Sequence, residues 1–415
     1  MATLARPADL PLEVLDIGNP HLWTEYSKVL PYFAQLRAAG PVHWCPESMY
    51  GPYWNVVSHQ HIMEVEGRPD IFSSSWDKGG ITIADRPEDR VEEPQLPMFI
   101  AMDRPQHTGQ RRTVAPAFTP AEMVRQNQDI RRRTTELLDS LPEGETFDWV
   151  DKVSIELTTG MLAILFDFPW EDRRLLTKWS DAAVDFESIE DEEKNKARWE
   201  ILFEMAGYFT NLWQERASKE PRPDLISMMI HSDATKNMSP QEYMGNLVLL
   251  IVGGNDTTRN TMTGSAMVQS LYPANWAKMM ADPSLISNGV SELIRWQTPL
   301  AHMRRTALED AEVAGQHIRA GDKLIMWYLS ANRDESIFPN GDVWDPMREN
   351  ARRHLSFGFG IHRCVGARLA ELQLGILLEE MQKRKMRVEV MGPPTRVYSS
   401  FVHGYRSLPV VMRRG

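Results

Sequence analysis

The amino-acid sequence predicts a mostly α protein with a small β region near its N-terminus, and three observations carry that reading. From about Glu122 to Ser232 apolar residues recur at helical spacing, interrupted at Pro142, Pro169 and Pro221 to Pro223. Phe147 to Phe166, Glu171 to Phe186 and Lys194 to Ala217 are the clearest of these segments. Ser239-Pro240-Gln241-Glu242 then supplies an N-cap, a proline at the first helical position and a capping-box glutamate, opening a helix expected to pass Met262 and to be the longest in the chain. Strand signals are short by comparison. Pro41 to Trp44 and Tyr53 to Val57 are separated by the turn-prone Pro46 and Gly51-Pro52, and Lys323 to Leu329 follows the turn Ala320-Gly321-Asp322.

Composition bounds the class. The 415 residues are 42% hydrophobic and 25% charged, ordinary for a globular protein with a sizeable core. No repeat, low-complexity tract or long linker divides them, so one domain over residues 1–415 is expected. Cys45 and Cys364, far apart, offer no disulfide framework and suit a reducing compartment. A net charge of −11 argues against wrapping nucleic acid. The opening stretch MATLARPADLPLEVLDIGNP holds no apolar run resembling a signal peptide. Leu247 to Val252, the most apolar stretch, is far shorter than the roughly 20 residues that span a bilayer. A cytoplasmic protein is therefore expected.

The chemistry centres on His354 to Leu374, HLSFGFGIHRCVGARLAELQL. Val365, Leu369, Leu372 and Ile376 share one helix face, so a helix starts near Cys364. A thiol at a helix start meets unpaired N–H groups and the positive end of the dipole, which favour the thiolate. Such a thiolate ligates a metal or attacks an electrophile. Gly358, Gly360 and Gly366 clear side chains from both sides, as the close approach of a large flat object requires, with Phe357 lying against that object. A lone cysteine after a glycine-rich turn is more often a small packed residue. Here, however, Phe357, Gly360, Cys364 and Gly366 fall in the pattern FxxGxxxCxG, which resembles the haem-binding loop of the cytochrome P-450 superfamily. The resemblance implies haem b as cofactor, with Cys364 as the metal ligand and Phe357 and Gly360 beside the ring.

Further motifs follow in the family's order. In MDRPQHTGQRRTVAPAFT, His107 and Arg111 lie four apart on one helix face and suit an anion such as a carboxylate. This resembles the HxxxR that holds a haem propionate. The run Arg131, Arg132 and Arg133 has no such support and is expected at the surface. In LLIVGGNDTTRN, adjacent Gly253 and Gly254 cost about 1 kcal/mol each in a helix relative to alanine, so distortion or close ligand approach should offset them. Gly254, Asp256 and Thr257 resemble the family's oxygen-activating positions. Splitting dioxygen needs two protons at the distal oxygen, which a positioned hydroxyl and a carboxyl relay supply, so Thr257 and Asp256 are the candidate catalytic residues. The alternative for Thr257 is a hydrogen bond back into its own helix. Glu292 and Arg295 resemble the family's ExxR, with Arg348 after Pro346 as the third member of a structural triad. Arg304, nine residues after Arg295, is a propionate candidate, with adjacent Arg305 as the competing choice. His362 is a further propionate partner. A Cys364–His362 covalent dyad would need hydrogen-bond reach, and nothing else in the chain supports it. His302, tempting as a base, is more often a packed or surface residue when alone in a strand.

The resemblance implies a monooxygenase that takes O2 as co-substrate. Neither a dinucleotide fingerprint nor a flavin domain is present, so electrons from NAD(P)H are expected through a ferredoxin and its ferredoxin reductase, with Arg352, Arg353 and Arg363 meeting an acidic partner. LLIVGGNDTTRN, RWQTPLAHMRRTA, the cysteine segment and FVHGYRSLPV together resemble the bacterial branch that hydroxylates medium-chain alkanes and fatty acids at the terminal (omega) carbon. The substrate-binding candidates by motif position are Ile100, Leu249, Val252, Gly253, Leu300, Met303, Phe401 and Val402. A mostly apolar wall of this kind also suits a terpene or other small hydrophobe. Ser73 to Pro97, rich in Ser, Gly, Asp, Glu and Pro, is expected as a long lid loop, and Ser399 to Tyr405 as a hairpin lowering Phe401 and Val402 into the pocket. Two rival classes are a haem-thiolate electron-transfer or gas-sensing protein, which would not need Asp256 and Thr257, and a helical binding protein without cofactor, which would not need the glycines around Cys364.

Overall fold

The computed structural model describes residues 15–85 and 94–415. Most of the opening stretch and the middle of the expected lid loop lie outside the described residues.

Short N-terminal elements come first: α1 (Tyr26–Ala39), strands β1 (Val42–Cys45) and β2 (Tyr53–Val56), α2 (His59–Glu66) and β3 (Phe72–Ser73). The helical region then runs through α3 (Gln106–Val114), α4 (Pro120–Ser140), a short strand β4 (Thr146–Asp148), α5 (Glu156–Phe166), α6 (Arg174–Ala183) and α7 (Glu192–Arg216). The boundaries follow local chemistry. Thr119 caps α4 by accepting from the Glu122 N–H at 3.4 Å, and Asp191 caps α7 by accepting from the Lys194 N–H at 3.0 Å. Ser239 accepts from the Glu242 N–H at 3.1 Å and Pro240 opens α8 (Pro240–Leu271), which runs 32 residues as expected.

Helix α8 is the axle of the molecule. It packs against α5 and α6 on one side, and against α9 (Ile286–Gln297) and α10 (Ala367–Lys383) on the other. One apolar cluster gathers Phe166, Trp179, Phe209, Leu247 and Ile251 between α5, α6, α7 and the first half of α8. A second gathers Trp149, Met262, Leu293, Trp344 and Leu377 under its C-terminal half.

The β region is not confined to the N-terminus. The main sheet has the order β1-β2-β6-β5-β3, in which β5 (His302–Ala307) and β6 (Lys323–Trp327) come from much later in the chain. Strands β2 and β6 run parallel, and β5 pairs antiparallel with β6, His302 opposite Trp327. A second sheet joins β4 to β8 (Pro409–Arg413) and β7 (Arg387–Val390). Local alternation marks a strand but not its partner, so a sequence reading places the region by its first strands alone. Among the described residues no helix is long and apolar enough to cross a membrane.

Candidate active site

The Cys364 loop is built around two left-handed glycines. Gly358 and Gly360 both have φ of +66°, and a Cβ on Gly360 would stand 2.5 Å from the Glu66 backbone oxygen. The Cys364 N–H donates to Phe357 O at 2.8 Å and closes the loop. Helix α10 begins only at Ala367, so Cys364 sits just ahead of the first turn and not within it. Burial pushes the Cys364 thiol up, while the Gly366 N–H and the charges of Arg111 and Arg363 pull it down. The helix start therefore does not by itself secure the thiolate; a metal cation would. The surface of Cys364 is nonetheless open, as is that of Gly253 on α8.

The middle of α8 faces that opening. Between buried neighbours, Leu249, Gly253 and Thr257 recur at four-residue steps as accessible or half-buried positions, with Val252 beside them. A Cβ on Gly253 would meet nothing within 4 Å. Gly254 does something else: its Cβ would stand 2.6 Å from Leu162 Cδ2, so it serves the approach of α5 and not, as expected, the cofactor. Leu249 and Val365 pack on the same apolar cluster, and α8 contacts α10, the helix that follows the cysteine loop.

Thr257 ends this stripe, and Asp256 is its buried neighbour. The Thr257 hydroxyl donates to Gly253 O at 2.9 Å, the back-bond weighed above, and its oxygen remains free to accept. Asp256 is fully buried, with Oδ1 2.7 Å from Arg259 Nη2 and Oδ2 without a partner. Arg259 reaches on to Asp181 Oδ1 of α6 at 2.8 Å, and the Asp181 side chain is 55% exposed. Burial pushes the Asp256 carboxyl up to about 6, against the pull of Arg259. The arrangement is a buried carboxyl raised above the ordinary carboxylate range and ion-paired to one guanidinium that reaches the surface at Asp181.

Beside the cysteine loop two histidines and two arginines come together. The rings of His107 and His362 are 4.2 Å apart, and His362 Nε2 is 2.8 Å from Ser74 Oγ. Both nitrogens of His107 and Nδ1 of His362 are buried without partners. Burial pushes His107 down to about 4 and His362 to about 2, and the charges of Arg111 and Arg305 push the same way. Arg111 donates to Arg363 O in the cysteine loop.

Arg304 does not join this group. Adjacent residues of a strand point to opposite faces, and Arg304 turns under Gly79 to pair with Asp85, also donating to Lys78 O at 3.3 Å. Arg305 is the arginine of the histidine side. It is held there by Glu66, whose Oε1 lies 3.1 Å from Arg305 Nη2 and 2.7 Å from the Tyr328 hydroxyl, while Oε2 accepts from the Phe359 N–H at 2.8 Å. Glu66, at the end of α2, thus ties the cysteine loop to β5. No local signal in its own stretch of sequence marks it.

The main sheet carries its own apolar cluster. Ile81, Ile100, Leu300, Met303 and Phe401 belong to one cluster, and Val402 bridges to Leu300 across the turn at residues 399–402. The Glu292 triad is formed as expected, Arg295 donating at 2.6 and 2.7 Å and Arg348 at 3.0 Å. Arg131 and Arg132 are surface pairs, on Glu379 and Glu380 and on Glu136 respectively, and Arg133 lies over the Trp170 ring at 3.8 Å.

These features fit haem. An open thiol, a helix face stripped of its Cβ, and an edge of buried nitrogens lacking an acceptor match an iron, a flat ring and its propionates.

The comparisons agree. The cytochrome P450 family model matches residues 276–391. The chain is 35% identical over 408 residues to the linalool 8-monooxygenase of Pseudomonas putida, covering 97% of this chain and 99% of that protein. It is 29% identical over 418 residues to the methyl-branched lipid omega-hydroxylase of Mycobacterium tuberculosis, covering 97% and 96%. Among solved structures, cytochrome P450-153 from Novosphingobium aromaticivorans is 60% identical with a TM-score of 0.91, covering 96% of this chain and 99% of that one. A 35% identity held from end to end of a monooxygenase, over a loop and helix built to receive a thiolate-bound haem, makes this chain a member of the cytochrome P450 family and a haem-dependent monooxygenase.

Proposed function

We propose that the enzyme hydroxylates the terminal carbon of medium-chain n-alkanes or fatty acids. The observation that carries this reading is the apolar cluster of Ile81, Ile100, Leu300, Met303 and Phe401, which we read as the distal wall facing the accessible stripe of Leu249, Val252 and Gly253. Terminal C–H bonds are harder to attack than the neighbouring methylene, so selectivity must come from a wall that presents only the methyl end. The likeness to an omega-hydroxylase and to a P450-153 supports the reading. The likeness to a linalool monooxygenase supports a second one, a terpene alcohol in the same apolar site.

Bound haem supplies the iron at which dioxygen takes two electrons and two protons, one oxygen atom entering the C–H bond and the other leaving as water. Cys364 would ligate the iron. His107, Arg111, His362 and Arg305 would hold the propionates, with Phe357 and Gly360 beside the ring. The Thr257 hydroxyl would accept a hydrogen bond on the substrate side, and Asp256 would relay protons toward it. Electrons come through a ferredoxin and its reductase, which the exposed Arg352, Arg353 and Arg363 suit. Charge reversal at those arginines should slow reduction severalfold, and an unchanged rate removes them from the partner's footprint.

The deciding experiment is the absorption spectrum after reduction and exposure to carbon monoxide, followed by titration with linear alkanes, fatty acids and linalool. A red-shifted Soret band of the thiolate type with a low- to high-spin change on linear chains supports the proposal. A spin change with linalool alone selects the second reading.

A further inference from the structure

We infer that His302 is the positioning residue of the distal wall: its imidazole joins three separate wall segments into one rigid surface, and so sets which end of a substrate is presented. The observation begins at the edge of β5. Strand β3 covers that edge only at Thr306 and Ala307, leaving residues 302–304 without a strand neighbour on that side. The segment 81–83 takes the place, with Ile81 O accepting from the Arg304 N–H at 2.8 Å. One step further, the Ile83 N–H donates not to a carbonyl but to His302 Nε2, at 3.2 Å.

A backbone N–H can only donate, so Nε2 is the unprotonated nitrogen and Nδ1 carries the hydrogen. That hydrogen goes to Ser400 O at 2.9 Å, in the C-terminal turn. Both ends of the ring are thus used, in one tautomer. Two aromatic rings also pack on it in edge arrangements: the ring centroid is 4.9 Å from Trp327 and 5.3 Å from Phe401, and Phe401 in turn meets Phe186, between α6 and α7, at 6.1 Å. Ile81 lies two residues from one bonded atom, and Phe401 immediately follows the other. Burial pushes His302 down to about 4, consistent with a neutral, two-ended clamp. A histidine with both nitrogens engaged has no free nitrogen with which to act as a base.

The inference rests on the proposed function for its choice of linear probes and on geometry for the rest. The test compares His302→Gln, whose amide donates and accepts, with His302→Phe, which keeps a ring and loses both bonds, in haem-loaded protein. Having lost both hydrogen bonds that hold the wall segments, the phenylalanine variant should bind n-octane or decanoic acid about tenfold more weakly by spin-shift titration. Its share of terminal alcohol should fall severalfold, and glutamine should restore both. A phenylalanine variant that melts lower yet keeps affinity and isomer ratio within twofold of wild type overturns the inference and leaves His302 a packing residue. Should that variant not load haem, Ile83→Pro removes the one N–H and is read by the same two outcomes. In the wild type the Ile83 amide should exchange slowly, and exchange as fast as that of an unbonded loop amide overturns the clamp without any variant. If no linear chain shifts the spin state, the proposed function fails separately, and the isomer ratio is read on linalool.

Discussion

Arg259 places one end of its guanidinium 2.7 Å from Asp256 and the other 2.8 Å from Asp181, so a single buried side chain joins the carboxyl beside Thr257 to the surface of α6. The carboxyl is pushed up by burial to about 6 and pulled down by Arg259. Removing the guanidinium as Arg259→Ala should therefore raise it further, and the limb of the pH–rate profile that reports Asp256 should move to higher pH. Asp256→Asn should abolish the limb and lower product formed per NAD(P)H consumed by about tenfold or more. Stability follows the same sign. A carboxyl raised in the folded state contributes stability present below the ordinary carboxylate range and lost as pH rises through about 6, so the unfolding midpoint of the Asp256→Asn variant should gain on the wild type between about pH 4 and about pH 7 and hold level above that.

The two neighbouring arginines of β5 should part company on mutation. Arg305→Ala takes a charge from beside His107 and His362 and leaves Glu66 buried without its ion pair, so haem should dissociate about tenfold faster or more. Arg304→Ala should keep its haem, because its guanidinium holds Asp85 and Lys78 O on the other face. What it should lose is the fastening of residues 78–85, seen as faster proteolytic cleavage there. Haem-transfer kinetics and limited digestion of the two variants separate the roles.

The choice between these arginines shows where sequence reading stops. Cys364, His362, His107 and the Glu292–Arg295 pair are legible because each belongs to a short spacing whose geometry a loop or helix fixes locally. Arg304 and Arg305 differ by one position on a strand, and only the pairing of β5 with its neighbours says which one faces the histidines. Glu66 is invisible for a similar reason: its partners Arg305, Tyr328 and the Phe359 N–H come from 239 to 293 residues away. The paired glycines look like one feature in sequence, yet a helix turns 100° per residue, so Gly253 faces the opening and Gly254 faces Leu162. His302 stands out only as a lone polar residue, and its two hydrogen bonds to Ile83 and Ser400 come from opposite ends of the chain.

Glu66 offers a stability prediction. Its side chain and that of Arg305 are 1% and 3% exposed, and truncating one partner of such a buried pair costs about 3–5 kcal/mol. Glu66→Ala should lower the denaturation midpoint accordingly and release the Phe359 N–H, loosening the cysteine loop. Part of the protein should then give the carbon monoxide spectrum of a lost thiolate. Glu66→Gln keeps an acceptor for Tyr328 and should fall between the two.

One substitution made at two glycines should give opposite signs. At Gly360, with φ of +66°, a methyl would stand 2.5 Å from the Glu66 carbonyl oxygen, a backbone atom that cannot turn aside. Gly360→Ala should cost about 2 kcal/mol or more and reduce haem loading. At Gly253 the same methyl meets nothing within 4 Å, and an alanine in a helix interior is favoured over glycine by up to about 1 kcal/mol. Gly253→Ala should therefore raise the unfolding midpoint, while the methyl projects into the opening beside Leu249 and Thr257. Spin-shift titration should weaken for branched or bulky ligands more than for linear ones, since only the wider molecules need that volume. A Gly253→Ala enzyme that is stabilised but binds both ligand classes unchanged would mean that this face of α8 does not border the substrate.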